Sequence, residues 1–153
     1  MFKNKKFNYK NIFSLKNKKI VILGGSGKMG LNFSKTLVSA GAKVFLGDIK
    51  KKISNSKIIY NYCDVSNDKS INNFFNNIIK KEKKIDTLIY NVYSKPSNYY
   101  QKFEKYGDDV WEEVMKTNLT GAFKASQIII NHFKKKKISG NIILVLSTYG
   151  IVG

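Results

Sequence analysis

The chain predicts an α/β fold built on a parallel, doubly wound sheet of about five strands, and three observations carry that expectation. Short apolar runs alternate with longer segments whose apolar residues recur at helical spacing. A glycine-rich turn separates the first run from the first helical segment, and an aspartate closes the second run. Strands alternating with helices in this way lie parallel and are joined by right-handed crossovers.

Residues 20–23 form an unbroken apolar run, as a strand covered on both faces should. The turn Gly24, Gly25, Ser26, Gly27, Lys28, Met29, Gly30 follows, and residues 31–40 read as a helix with Leu31, Phe33, Leu37 and Val38 in or near one stripe. The spacing Gly25-x-Gly27-x-x-Gly30 suits a Rossmann-type dinucleotide turn. Its first glycines let backbone approach a pyrophosphate, and its last lets the helix lie against the strand with its N-terminus facing the phosphates. Three glycines in a loop are common by chance. Here a strand precedes them, a helix follows, and a second strand over 42–46 leads to Asp48. That carboxylate stands 18 residues beyond Gly30, near the spacing at which it reaches a ribose 2′-hydroxyl.

The remaining elements follow in order. Residues 1–11 are basic and without period, which predicts a mobile arm ahead of one domain over 12–153. Residues 50–57 form a polar connection, and 57–62 a third strand ending at Cys63-Asp64-Val65. Ser66 is positioned to cap a helix over 67–81, whose stripe is Ile71, Phe74, Phe75, Ile78 and Ile79. A fourth strand spans 85–90. The loop 91–107, rich in aromatics and carrying the sole proline, Pro96, is long enough to suggest a functional role. Asp108 or Asp109 can cap a helical stretch containing Val110, Trp111, Val114 and Met115. Helicity resumes at Leu119 and runs to Lys136, with Phe123, Ile128, Ile129, Ile130 and Phe133 on a broad apolar face. A fifth strand follows over 141–146.

Composition narrows the function classes. No apolar run approaches the ~18 residues of a membrane span, the basic start is not followed by an apolar signal segment, and a lone Cys63 suits a reducing cytoplasm. The absence of a Cys/His cluster argues against a metal site. The formal charge of +18 invites a nucleic-acid partner, but every Lys/Arg position is lysine and the lysines spread along the whole chain. Bidentate recognition of bases and phosphates favours arginine, so solvated lysine faces are the better account. The positive field still attracts an anionic cofactor.

Taken together, these segments resemble the short-chain dehydrogenase/reductase family. Leu23-Gly-Gly-Ser-Gly-Lys-Met-Gly30 is similar to that family's TGxxGxxG turn, with leucine for threonine. Asp64-Val65 stands where the family has an aspartate on the adenine edge; a turn or cap aspartate is the alternative. Asp86-Thr-Leu-Ile-Tyr-Asn-Val-Tyr93 resembles D-x-L-V-N-N-A-G, so Asn91 would tie sheet to loop, while Tyr90, Val92 and Tyr93 depart from the pattern. Trp111-x6-Asn118-Leu-Thr-Gly121-Ala-Phe123 is similar to W…NLxGxF. There Asn118 would hold a proton-relay water at a helix interruption; otherwise it is a local kink. Residues 139–150 resemble G-x-I-V-N-I-S-S-x-x-G and put Ser147 at the catalytic serine.

The resemblance implies an oxidoreductase using NAD, since the Asp48 carboxylate repels the 2′-phosphate of NADP, a preference that Lys28 and Lys50 to Lys52 weaken. It further implies a homo-oligomer acting on a small carbonyl or hydroxyl substrate. The Tyr93 turn, the aromatic loop and Ser-Thr-Tyr-Gly150 look nearest to a branch found with bacterial surface-sugar and flagellin-glycan biosynthesis, which implies a sugar. Epimerases and dehydratases of the wider family share the glycine turn. The family's general acid/base, a tyrosine with lysine four residues on, has no counterpart: Tyr90 meets Ser94, Tyr100 meets Glu104 and Tyr149 meets Gly153. The expectation is therefore a C-terminally incomplete domain without turnover, whose strand before Ser147 is an unpaired edge and whose last helix keeps an apolar face uncovered. A non-catalytic nucleotide-binding fragment is the alternative.

Overall fold

The computed structural model describes residues 12–50 and 57–150; the expected basic arm, and Lys51 and Lys52, lie outside these residues. The elements are β1 (Lys19–Leu23), α1 (Lys28–Ser39), β2 (Lys43–Asp48), β3 (Ile58–Tyr62), α2 (Asp68–Glu82), β4 (Thr87–Tyr90), α3 (Asp108–Met115), α4 (Gly121–Lys136) and β5 (Asn141–Leu144). A π turn, Lys116–Thr120, joins α3 to α4 without a break, and short 3-10 turns span Phe103–Lys105 and Thr148–Gly150. The strands form one sheet in the order β3-β2-β1-β4-β5, every pair parallel.

Alternation along β1 sorts its side chains between two cores. Val21 and Leu23 join Phe45, Leu88 and Tyr90 beneath Ile71, Phe74, Phe75 and Ile78 of α2 and Ala125 and Ile129 of α4. Ile20 and Ile22 join Val44, Leu46 and Ile89 on the other face, against Leu31, Phe33, Leu37 and Val38 of α1. Both faces are covered, which is why the strand sequences read as continuous apolar runs. At the amino ends of the strands, buried Glu82 pairs with Lys19 and Lys43, and buried Asp86 with Lys84 and Lys18.

Cover thins toward β5. α1 packs on β1, β2 and β3, so Ile143, in register with Ile89, is half exposed. β5 is an edge strand of this sheet, Leu146 beyond it is open to solvent, and Phe123 and Ile130 of α4 face outward. The expected open edge and uncovered helix face are both present among the described residues.

Several boundaries differ from the sequence expectation. α1 begins at Lys28 rather than Leu31, so Lys28, Met29 and Gly30 form its first turn. α2 is capped by Asn67, whose side chain accepts the Ser70 N–H, because the Ser66 hydroxyl donates to Asp64 instead. Neither Asp108 nor Asp109 caps α3; Gly107 holds that position and both aspartates sit in the first turn. No described helix is long and apolar enough to cross a membrane.

Candidate functional site

The chain reverses between β1 and α1 at the carboxyl end of the sheet, and the glycines there are fixed by what surrounds them. Gly24 adopts φ +74°, and a Cβ on it would lie 2.5 Å from the Asn91 carbonyl oxygen. Gly30 packs so tightly on the turn that a Cβ would lie 2.5 Å from the Gly24 oxygen and 2.6 Å from Gly25 Cα. Gly25 abuts the Leu46 side chain, and its N–H and that of Gly24 both donate to the Gly47 carbonyl. By contrast, a Cβ on Gly27 would meet nothing closer than 3.9 Å. Gly27 precedes α1, no side chain caps that end and no acid occupies the first turn. The positive end of the helix dipole is therefore left to an external anion.

Asp48, the last residue of β2, fastens this turn. Its Oδ2 accepts the Ser26 N–H at 2.9 Å and its Oδ1 accepts the Lys50 N–H at 3.0 Å, while Ser26 Oγ donates to the Lys50 carbonyl at 2.5 Å. Asn91 ties the turn from the other side: its N–H donates to Leu23 O at 2.9 Å and its Nδ2 to Gly24 O at 3.0 Å. After β3, Asp64 Oδ1 accepts both the N–H and the hydroxyl of Ser66, at 2.9 and 2.7 Å, and the Asp64 N–H donates to Ser70 Oγ at 3.0 Å. The turn role expected for Asp64 is thus present, and the same residue faces the cavity.

That cavity, of about 610 Å³, lies between these segments. Gly24, Gly27, Lys28, Met29, Asp48, Asp64, Val65 and Asn91 line it. Gly25, Ser26 and Gly30 stand behind, forming the turn. Ser147 lies past the carboxyl end of β5, exposed and outside the lining. Asn118 is not in the lining either, but it is joined to it: its Oδ1 accepts the Ser94 N–H at 2.7 Å and its Nδ2 donates to Ser94 O at 3.4 Å. Ser94 Oγ in turn donates to Glu113 Oε1 at 2.6 Å. Ser94, Glu113 and Thr117 make the far rim with Tyr93. Sequence reasoning passed over Glu113 and Thr117, although their spacing of four puts them on one helix face.

Lining and neighbouring groups, Cys63, Tyr90 and Tyr93 among them, are shifted in ionisation. Burial, then the carboxylates of Asp64 and Asp48, push the Cys63 thiol up to about 12. Burial also pushes the Tyr90 phenol up, which keeps it a hydrogen-bond donor. Among the described residues no group of His, Cys, Asp and Glu could hold a metal.

Residues 18–153 match the profile of the family described as short chain dehydrogenase. The 3-oxoacyl-(acyl-carrier-protein) reductase FabG of Chlamydia pneumoniae is 26% identical over 150 residues, covering 92% of this chain and 59% of that protein. Sorbose reductase sou1 of Schizosaccharomyces pombe is 27% identical over 154 residues, covering 92% and 58% respectively. The crystal structure of a short chain dehydrogenase from Leptospira borgpetersenii with bound NAD+ superposes with a TM-score of 0.85 at 26% identity, covering 95% of this chain and 57% of that one. The chain thus spans less than two thirds of the length of these relatives.

Proposed function

The chain belongs to the short-chain dehydrogenase family, and on that premise we propose that it carries the nucleotide-binding part of an oxidoreductase passing hydride between a nicotinamide dinucleotide and a carbonyl or hydroxyl carbon. The observation that carries the reading is one cavity lined by the uncapped start of α1 at one point and the Asp48 carboxylate at another. The Gly27, Lys28 and Met29 segment would take the pyrophosphate, Asp48 the adenosine ribose, and Asp64 with Val65 the adenine edge. Asn91 would hold the wall between them through its bond to Gly24. NAD is the preferred form, because a carboxylate at the ribose repels a 2′-phosphate; Lys28 and Lys50 keep NADP within reach.

Bound nicotinamide would supply the hydride chemistry. Of this chain's residues, Ser147 would orient the substrate oxygen and Asn118 would order the proton path. The share of that chemistry proposed for these 153 residues is dinucleotide binding; none of their tyrosines is followed four residues on by lysine. A sugar is the narrower proposal for the substrate, supported by the sorbose reductase among the relatives; a surface-sugar pathway and a homo-oligomer are narrower still.

Titration of the purified chain with NAD and with NADP tests the reading. NAD is expected to bind more tightly, and Asp48→Ala to weaken NAD roughly tenfold, the loss of a charge-assisted hydrogen bond, while closing the gap to NADP. No binding of either by the unaltered chain would end the proposal; unchanged NAD affinity in the variant would remove Asp48 from the ribose.

A further inference from the structure

The junction of α3 and α4 holds an arrangement in which one hydroxyl repairs a defect in a helix. In an α-helix the Gly121 N–H would donate to the carbonyl four residues back, that of Thr117. It donates instead to Lys116 O, five residues back, and the Lys116–Thr120 segment widens into a π turn. The Thr117 carbonyl thereby loses its α-helical donor. The Tyr90 hydroxyl, reaching over from the end of β4, donates to that oxygen. Tyr90 is 3% exposed, so its hydroxyl needs a buried partner as much as the carbonyl does. Gly121 makes the reach possible, since a Cβ there would lie 2.5 Å from the Tyr90 oxygen and 3.1 Å from Val65 Cβ.

What the π turn carries gives the arrangement its meaning. Thr117 lines the cavity, and Asn118, the next residue, grips Ser94 through both its N–H and its carbonyl. One extra residue in the turn changes which way every following side chain points. We propose that Tyr90 is the positioning residue for the far rim of the cavity: by holding the Thr117 carbonyl it fixes the π turn, and through Asn118 it fixes Ser94 and Tyr93. This deepens the dinucleotide reading and rests on it only where ligand affinity is concerned. The carboxylates of the adenosine end, Asp48 and Asp64, have no part in the chain of contacts, which meets that end only where Gly121 packs on Val65.

The test replaces Tyr90 with phenylalanine in the full chain and follows backbone amide exchange by NMR together with affinity for NAD and for AMP. Expected is exchange at Ser94 faster by roughly tenfold, the loss of about one buried hydrogen bond, with Val21 in β1 unchanged. NAD should weaken several-fold while AMP, confined to the adenosine end, does not. Gly121→Ala, whose methyl displaces the same hydroxyl, should open Ser94 alike and stands in if Tyr90→Phe does not fold. Unchanged Ser94 exchange overturns the proposal. So does equal acceleration in Leu88→Ala, a core variant of the same strand that leaves the hydroxyl in place. If the unaltered chain binds neither nucleotide, the dinucleotide reading falls, while Ser94 exchange still decides the role of Tyr90.

Discussion

The Nε2 of His132, on α4, accepts the Ile85 N–H at 3.2 Å in a buried setting just before β4. An accepting nitrogen carries no proton, so the ring is neutral and its other nitrogen holds the hydrogen. Burial first, then the charge of Lys136, lower the His132 pKa below its ordinary value. The folded state therefore binds fewer protons here than the unfolded one. Stability is fully present above the unfolded pKa of about 6.5 and falls as pH drops through it toward the lower folded value. Urea midpoints taken at pH 7.5 and 5.5 should decrease, and His132→Gln should flatten that dependence.

A second pH window lies lower. Hydrogen bonds from Lys43 lead in holding the Glu82 carboxyl below its usual range against burial. At Asp86 burial works the other way, but bonds from Lys84 and the Lys19 N–H outweigh it. Both groups stabilise the fold above the ordinary carboxylate range and stop doing so as pH falls below about 4. Glu82→Gln should cost about 1–2 kcal/mol at pH 7, since Lys19 and Lys43 are partly exposed and can rehydrate. Denaturant titration at pH 7 and pH 3 checks this, with little difference between the proteins expected at the lower pH.

The glycines of the turn should separate cleanly. Gly30→Ala forces a methyl against the Gly24 and Gly25 backbone, which cannot swing aside as a side chain can, and should cost about 1–3 kcal/mol. Gly27→Ala makes only an ordinary van der Waals contact, with the Gly24 oxygen at 3.9 Å, and should stay within about 0.5 kcal/mol in stability. Thermal or urea unfolding of the two variants gives the comparison directly.

Cys63 should be nearly inert in the folded chain. A buried thiol held up at about 12 offers little thiolate at pH 8. Its reaction with an aromatic disulfide reagent should be at least roughly a hundredfold slower than in urea, timed by absorbance. Rates equal in the two conditions would mean that the segment after β3 opens freely.

Where local pattern and tertiary need agreed, the sequence was enough. The run 20–23 and the stripe of α2 each serve strand or helix propensity and burial at once, and the position of Asp48 at the end of β2 follows from the length of that strand. The start of α1 was less legible. Glycines disfavour helix, so the pattern begins at Leu31, yet backbone geometry lets the first turn begin at Lys28. The cap of α2 fell to Asn67 because two neighbouring polar residues competed and Asp64 captured Ser66. An interruption around Asn118 was expected, but its form was not: a π turn there depends on a hydroxyl 27 residues away, which no local window contains. Ser147 was placed from its neighbours in sequence alone, and in the fold it stands outside the cavity lining.

The strand order has a consequence for how the sheet comes into being. β1 is central, β2 adds beside it and β3 beside β2; β4 then adds to the opposite flank of β1, and β5 to β4. Each newly made strand thus finds its partner already present and its place already at a margin. None has to wedge between two that are paired. During synthesis from the N-terminus the sheet can accrete in the order in which the ribosome delivers it, first on one side and then on the other.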